Sequence, residues 1–117
     1  MLAYLIAAAA QATTPAPIPQ ARWKQIPSVY DRALAYPEHA AARGLAGQAT
    51  LRCRISDIGR PVKCTVHSET PPGEGFGKAA MKLRSKMSFH PPGPGEDPWV
   101  LIPLNFDPDP KKALHIY

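Results

Sequence analysis

Ala49-Thr50-Leu51-Arg52-Cys53-Arg54-Ile55-Ser56-Asp57-Ile58-Gly59-Arg60-Pro61-Val62-Lys63-Cys64-Thr65-Val66-His67 reads as two alternating strands about a glycine turn. Ala49, Leu51, Cys53 and Ile55 fall on one face of the first strand, and Thr50, Arg52, Arg54 and Ser56 on the other. Beyond Ile58-Gly59, Val62, Cys64 and Val66 alternate with Lys63, Thr65 and His67. A turn there sets Ile55 opposite Val62, Cys53 opposite Cys64 and Leu51 opposite Val66. A slip of one residue would bury Arg52 and Arg54, so the pattern predicts a single register.

That register makes Cys53 and Cys64 neighbours on the buried face. In an oxidising compartment, directly opposed cysteines of this kind lie within bridging distance, and the short loop they close is worth about 3 kcal/mol by chain entropy. In a reducing compartment the same pair serves as two small core residues. Neither their spacing nor that of His39, His67, His90 and His115 matches a metal site, so no metal and no cofactor are expected.

Outward from the hairpin, Tyr36-Pro37-Glu38-His39-Ala40 opens a short helix with Pro37 at its first position, and Gly44 closes it in a left-handed cap. Trp23, Ile26, Val29, Tyr30 and Leu34 are spaced too loosely to assign as cover or as mobile chain. A second helix is expected over residues 75–87. Phe76, Ala79, Ala80, Leu83 and Met87 form its apolar stripe, and Lys78, Lys82 and Lys86 stand in a separate outer column. That column is either a solvated face or a basic surface for an anionic polymer such as the cell wall. Gly73-Glu74-Gly75-Phe76-Gly77-Lys78 matches no phosphate-binding spacing. In the last strand, Val100, Ile102, Leu104 and Phe106 face the helix, while Trp99, Leu101, Pro103 and Asn105 face away. Proline lacks a backbone donor, so this strand suits a sheet edge or a bulge better than the centre of a sheet, and an exposed edge is either protected or used for pairing with a further strand or a second copy of the chain. The fold class is α+β: an α-β-β-α-β order, with a three-stranded antiparallel sheet and two helices on one face.

The chain of 117 residues holds at most one such domain, assigned here to residues 28–107, with a tail over 108–117. Residues 1–12 are apolar and end Ala10-Gln11-Ala12, the small-x-small pattern of a signal-peptidase site. Too short to span a bilayer, the segment predicts export; a start further upstream would make it part of a membrane anchor. Residues 13–27, with Pro15, Pro17 and Pro19, read as a proline-rich tether. The formal charge of +5 is small and dispersed, giving no nucleic-acid signature. Ser56, Ser68, Ser85 and Ser88 lack a nucleophile elbow, and Asp57, Glu69, Glu96 and Asp97 sit in or beside turns, so no catalytic constellation is present.

The ordered signatures Tyr36-Pro37, Gly44-Leu45-Ala46-Gly47, Asp57-Ile58-Gly59-Arg60, Phe89-His90-Pro91-Pro92 and Ile102-Pro103-Leu104-Asn105-Phe106 resemble the C-terminal domain of the TonB family. The resemblance covers about the last two thirds of the chain and includes the P-x-x-F ending of the final strand. It implies a periplasmic module for energy-coupled transport, which engages the N-terminal peptide of an outer-membrane receptor. The peptide would add as a strand beside Trp99, Val100, Leu101, Ile102, Pro103, Leu104 and Asn105, with Trp99, Leu101 and Asn105 reading its side chains.

Overall fold

The computed structural model describes residues 21–109. In chain order its elements are β1 (Trp23–Gln25), α1 (Val29–Ala35), α2 (Glu38–Ala42), β2 (Gly47–Ile55), β3 (Pro61–Thr70), α3 (Phe76–Lys82), a 3-10 turn over Leu83–Lys86, β4 (Ser88–Phe89) and β5 (Trp99–Phe106). β2 is the centre of an antiparallel sheet ordered β3-β2-β5, and β1 pairs with β4 in a small ribbon of its own. The alternation in β2 and β5 translates directly into burial. Ala49, Leu51, Cys53 and Ile55 are buried from the one strand, and Val100, Ile102, Leu104 and Phe106 from the other. α3 lies over β2 and β3, while α1 rests on α3 and the 3-10 turn.

β3 departs from the expected register. Leu51 is opposite Val66, as the alternation predicts, but Ile55 faces Pro61 instead of Val62, and Arg54 faces Val62. The first of two bulges accounts for this. Lys63 and Cys64 together oppose Cys53, and His67 is an extra residue between the pairs Thr50–Ser68 and Leu51–Val66. Lys63 takes the left-handed conformation, with φ of 51°, that lets the strand absorb its extra residue. The arginines of β2 keep their outward side because the insertions are confined to β3.

The second helix is shorter than its apolar stripe. It tightens at Leu83 into the 3-10 turn, a common ending for an α-helix. Arg60 of the hairpin turn donates to the Ser85 and Met87 carbonyls at 3.2 and 3.3 Å, satisfying acceptors that the helix end leaves without partners. At the other end Gly75 has no side chain with which to cap, and Glu69 of β3 accepts from the Gly77 N–H at 2.9 Å in its place. Pro37 is the N-cap of α2, and Glu38 its first helical residue, one position later than the sequence suggests. Gly44 has the expected left-handed φ, 61°.

Upstream, Ser28 and Asp31 form a reciprocal capping box at 3.0 Å that starts α1, an element added to the expected order. The end of the stretch read as tether is packed: Trp23 lies 4.6 Å from the Phe89 ring, centroid to centroid. The rest of that tether, the signal-like segment 1–12 and the tail beyond Asp109 lie outside the described residues.

The core is aromatic at the end nearest β5's terminus. Phe76 and Phe106 are 5.6 Å apart, and Tyr36 meets both edge-on at 5.8 and 5.9 Å. The Phe76 ring occupies the space above Gly47, where a Cβ would lie 2.2 Å from its Cε2. The hairpin tip closes in the same way on the opposite end. Gly59, at φ of 83°, accepts from the Phe89 N–H at 2.9 Å, and a Cβ there would meet the Phe89 carbonyl.

Candidate functional site

The candidate site is the outer border of β5, which within the described sheet is paired on one side, to β2. Backbone direction follows from one hydrogen bond: Ile55 N–H donates to the Pro98 carbonyl at 2.8 Å, so even-numbered residues of this strand point to β2 and odd-numbered ones point out. Pro103 is odd-numbered. Its missing N–H therefore removes nothing from the ladder, which is why the strand tolerates it.

The outward groups meet some of the chain's own residues. Trp99 N–H donates to the Asp97 carboxylate at 3.0 Å, Ala21 N–H donates to the Leu101 carbonyl at 3.1 Å, and Arg32 Nη1 reaches the Asn105 carbonyl at 3.5 Å. The N-terminal half of the border is thus engaged by the segment leading into β1. The Pro103 carbonyl and the Asn105 N–H, also directed outward, lie along the other half.

Side chains divide as the alternation predicts. Val100, Ile102 and Leu104 are buried against the helices, and Trp99, Leu101, Pro103 and Asn105 are half-buried on the opposite face. On that face the Arg52 guanidinium lies 4.2 Å from the Trp99 ring centroid, stiffening the aromatic side chain at the start of the strand.

A cleft of about 330 Å³ opens where the strand ends, lined mainly by Val29, Arg32, Tyr36, Asn105, Phe106 and Asp107. Arg32 is 5 % exposed, and its Nε has no partner among the described residues. Burial lowers its pKa from the ordinary arginine value by disfavouring the charged form. The Tyr36 hydroxyl donates to the Leu45 carbonyl, and burial, with the nearby Asp107 carboxylate, raises its pKa. Arg32 escapes prediction from sequence. Its signal is the Ser28-x-x-Asp31 box, which starts the helix that turns this side chain toward β5.

The other candidates lie elsewhere. Cys53 and Cys64 are joined, with S–S at 2.07 Å and Cα atoms 4.2 Å apart, so the disulfide ties β2 to β3 on the far side of the sheet from β5. Lys78, Lys82 and Lys86 are all exposed along α3 and its 3-10 turn, apart from the β5 border. Among the described residues, no three of His, Cys, Asp and Glu are grouped to hold a metal ion. No helix of the described residues is long and apolar enough to cross a membrane.

The family model for the Gram-negative bacterial TonB protein C-terminal region matches residues 32–108, from Arg32 to the residue after Asp107. None of the curated proteins matches the chain by sequence. Among solved structures, the TonB2 protein from Vibrio anguillarum is similar at 23% identity and a TM-score of 0.46, over 81% of this chain and 84% of that one.

Proposed function

Because this chain belongs to the TonB C-terminal family, a family of transport and interaction modules, we propose that it is a binding domain of energy-coupled transport that takes its partner as an added strand. The guest is the N-terminal peptide of a TonB-dependent outer-membrane receptor. It pairs with the outward backbone groups of Leu101, Pro103 and Asn105. The observation that carries this reading is the position of β5: an edge strand whose one proline costs the ladder to β2 nothing and offers a guest its carbonyl, without an N–H, on the outward side. Main-chain bonds of about 1 kcal/mol each supply the affinity, and the half-buried Trp99, Leu101 and Asn105 side chains supply the selection. Pairing with the Leu101 carbonyl requires the guest to displace Ala21, and pairing with the Asn105 carbonyl requires it to share that oxygen with Arg32 or displace it.

The setting is the periplasm. The Cys53–Cys64 bond supports an oxidising compartment, and the apolar residues 1–12 support export.

Isotope-labelled protein titrated with receptor-derived peptides tests the reading. The Leu101 and Asn105 amides should shift, the affinity should survive high salt, and Leu101→Asp should abolish it. Saturating peptide that leaves those amides unmoved refutes strand addition.

The exposed lysines Lys78, Lys82 and Lys86 favour a second reading, a cell-wall or other anionic-polymer binder without a transduction role. Binding of that kind weakens as salt screens the lysines.

A further inference from the structure

We propose that the outer face of α1, with the lysines beside it, is a docking surface for an anionic phospholipid bilayer. Tyr30 and Leu34 are the most exposed large side chains of this helix, at 71% and 70%, and Ile26 just before it is 41% exposed. Tyr30 and Leu34 are four residues apart, so they stand one above the other on a single face. Leu34 lines a shallow depression together with Lys82 and Lys86, which places two ammonium groups beside the apolar tip. Lys78 is exposed on α3, which packs against α1, and Lys24 is exposed on β1, which precedes it in the chain. The one carboxylate in the depression, Asp31, accepts from the Ser28 N–H in the capping box and offsets part of the Lys86 charge, leaving Lys82 as the uncompensated cation of the pair.

This combination decides among partners. An anionic polymer needs the lysines and leaves Tyr30 and Leu34 without a role. A protein groove would take Tyr30 and Leu34 and leave the lysines beside them without a role. A bilayer surface uses all of them: aliphatic and tyrosine side chains enter the headgroup boundary, while lysines extend along it to the phosphates. Geometry also separates this face from the β5 border. Arg32, which faces β5, lies two residues from both Tyr30 and Leu34, a rotation of about 200° around the helix. Lipid contact and strand addition therefore use opposite sides of α1, and the inference stands independently of the peptide reading.

The test is flotation of the full chain with vesicles of phosphatidylglycerol and phosphatidylethanolamine, against vesicles of phosphatidylcholine alone. The expected result is association with the anionic vesicles, reduced by high salt. Tyr30→Ser/Leu34→Ser should lower the partition coefficient by about tenfold or more. Lys82→Gln/Lys86→Gln should do the same. All four side chains are at the surface, and thermal melts serve as the check that both variants fold. Failure to bind anionic vesicles overturns the proposal. So does a Tyr30/Leu34 variant that binds as well as its parent, since the contact then lies elsewhere, the apolar residues 1–12 included. Lysine-dependent binding to isolated cell wall, unaffected by Tyr30→Ser/Leu34→Ser and without vesicle binding, makes the face a polymer site and overturns it too. A change in sedimentation mass in the Tyr30/Leu34 variant, with vesicle binding intact, assigns the patch to self-association with the same consequence.

Discussion

Opening the Cys53–Cys64 bond should cost this domain a large share of its stability, and the structure allows the parts of that cost to be separated. The cysteines are 11 residues apart, a loop for which chain entropy gives about 3 kcal/mol. In a domain of this size each kcal/mol moves the melting temperature by about 4–8 °C, so the reduced protein should melt about 12–24 °C below the oxidised one. Reduction leaves both sulfur atoms in place and isolates the constraint. Cys53→Ala/Cys64→Ala also empties the sulfur's space at the fully buried Cys53, which adds about 1 kcal/mol relative to the reduced parent. Cys64 is half-exposed and contributes less to that second step. Calorimetric melts of oxidised, reduced and double-alanine protein resolve the two contributions. Coincident oxidised and reduced melts would refute the reasoning, because the sheet would then hold β3 without the bridge.

Gly47→Ala should destabilise by about 1–3 kcal/mol in urea titration, since its Cβ would stand 2.2 Å from the buried Phe76 ring; an unchanged midpoint would mean the ring has room to move. Ala21→Pro removes the N–H that the Leu101 carbonyl accepts, so it should lower stability by about 1 kcal/mol and raise affinity for an added strand up to about fivefold. Calorimetric titration checks this, and an equal or weaker affinity would show that Ala21 and the guest do not share the border. Burial and Asp107 raise the Tyr36 pKa, so the folded state favours the protonated hydroxyl. Its stabilising contribution is complete below about pH 10 and is lost as pH rises through the folded value. Tyr36→Phe should flatten that alkaline loss while costing about 1 kcal/mol at neutral pH through the missing bond to the Leu45 carbonyl, as pH-dependent denaturation would reveal.

The central and last strands were legible because each buries one face, and period-two alternation is the direct imprint of that arrangement. The stripe of Phe76, Ala79, Ala80, Leu83 and Met87 placed α3 by the same logic, and all five residues are buried. β3 was less legible. As an edge strand it buries little, so its apolar alternation constrains its register weakly, and nothing in the composition announces a left-handed Lys63. Ser28-Val29-Tyr30-Asp31 did carry a start signal for α1, but Tyr30 and Leu34 face solvent and the helix lacks the apolar stripe that would have drawn attention to it. Of the candidate site, Pro103 marked an edge through its chemistry alone. The contacts of Ala21 and Arg32 with that edge join residues more than seventy positions apart, and only the folded chain brings them together.

The two extra residues of β3 also make the sheet lopsided. A straight border displays donors and acceptors at a regular spacing that a newcomer can match, and the insertions at Lys63 and His67 break that spacing twice on one flank. β5 pairs with β2 without interruption from Gly47–Phe106 to Arg54–Trp99, so its far side keeps an even residue spacing, with a donor missing at Pro103. Any strand that lengthens this sheet, from a guest or from a second copy, thus has one flank suited to templating, and growth is confined to that flank instead of propagating in both directions.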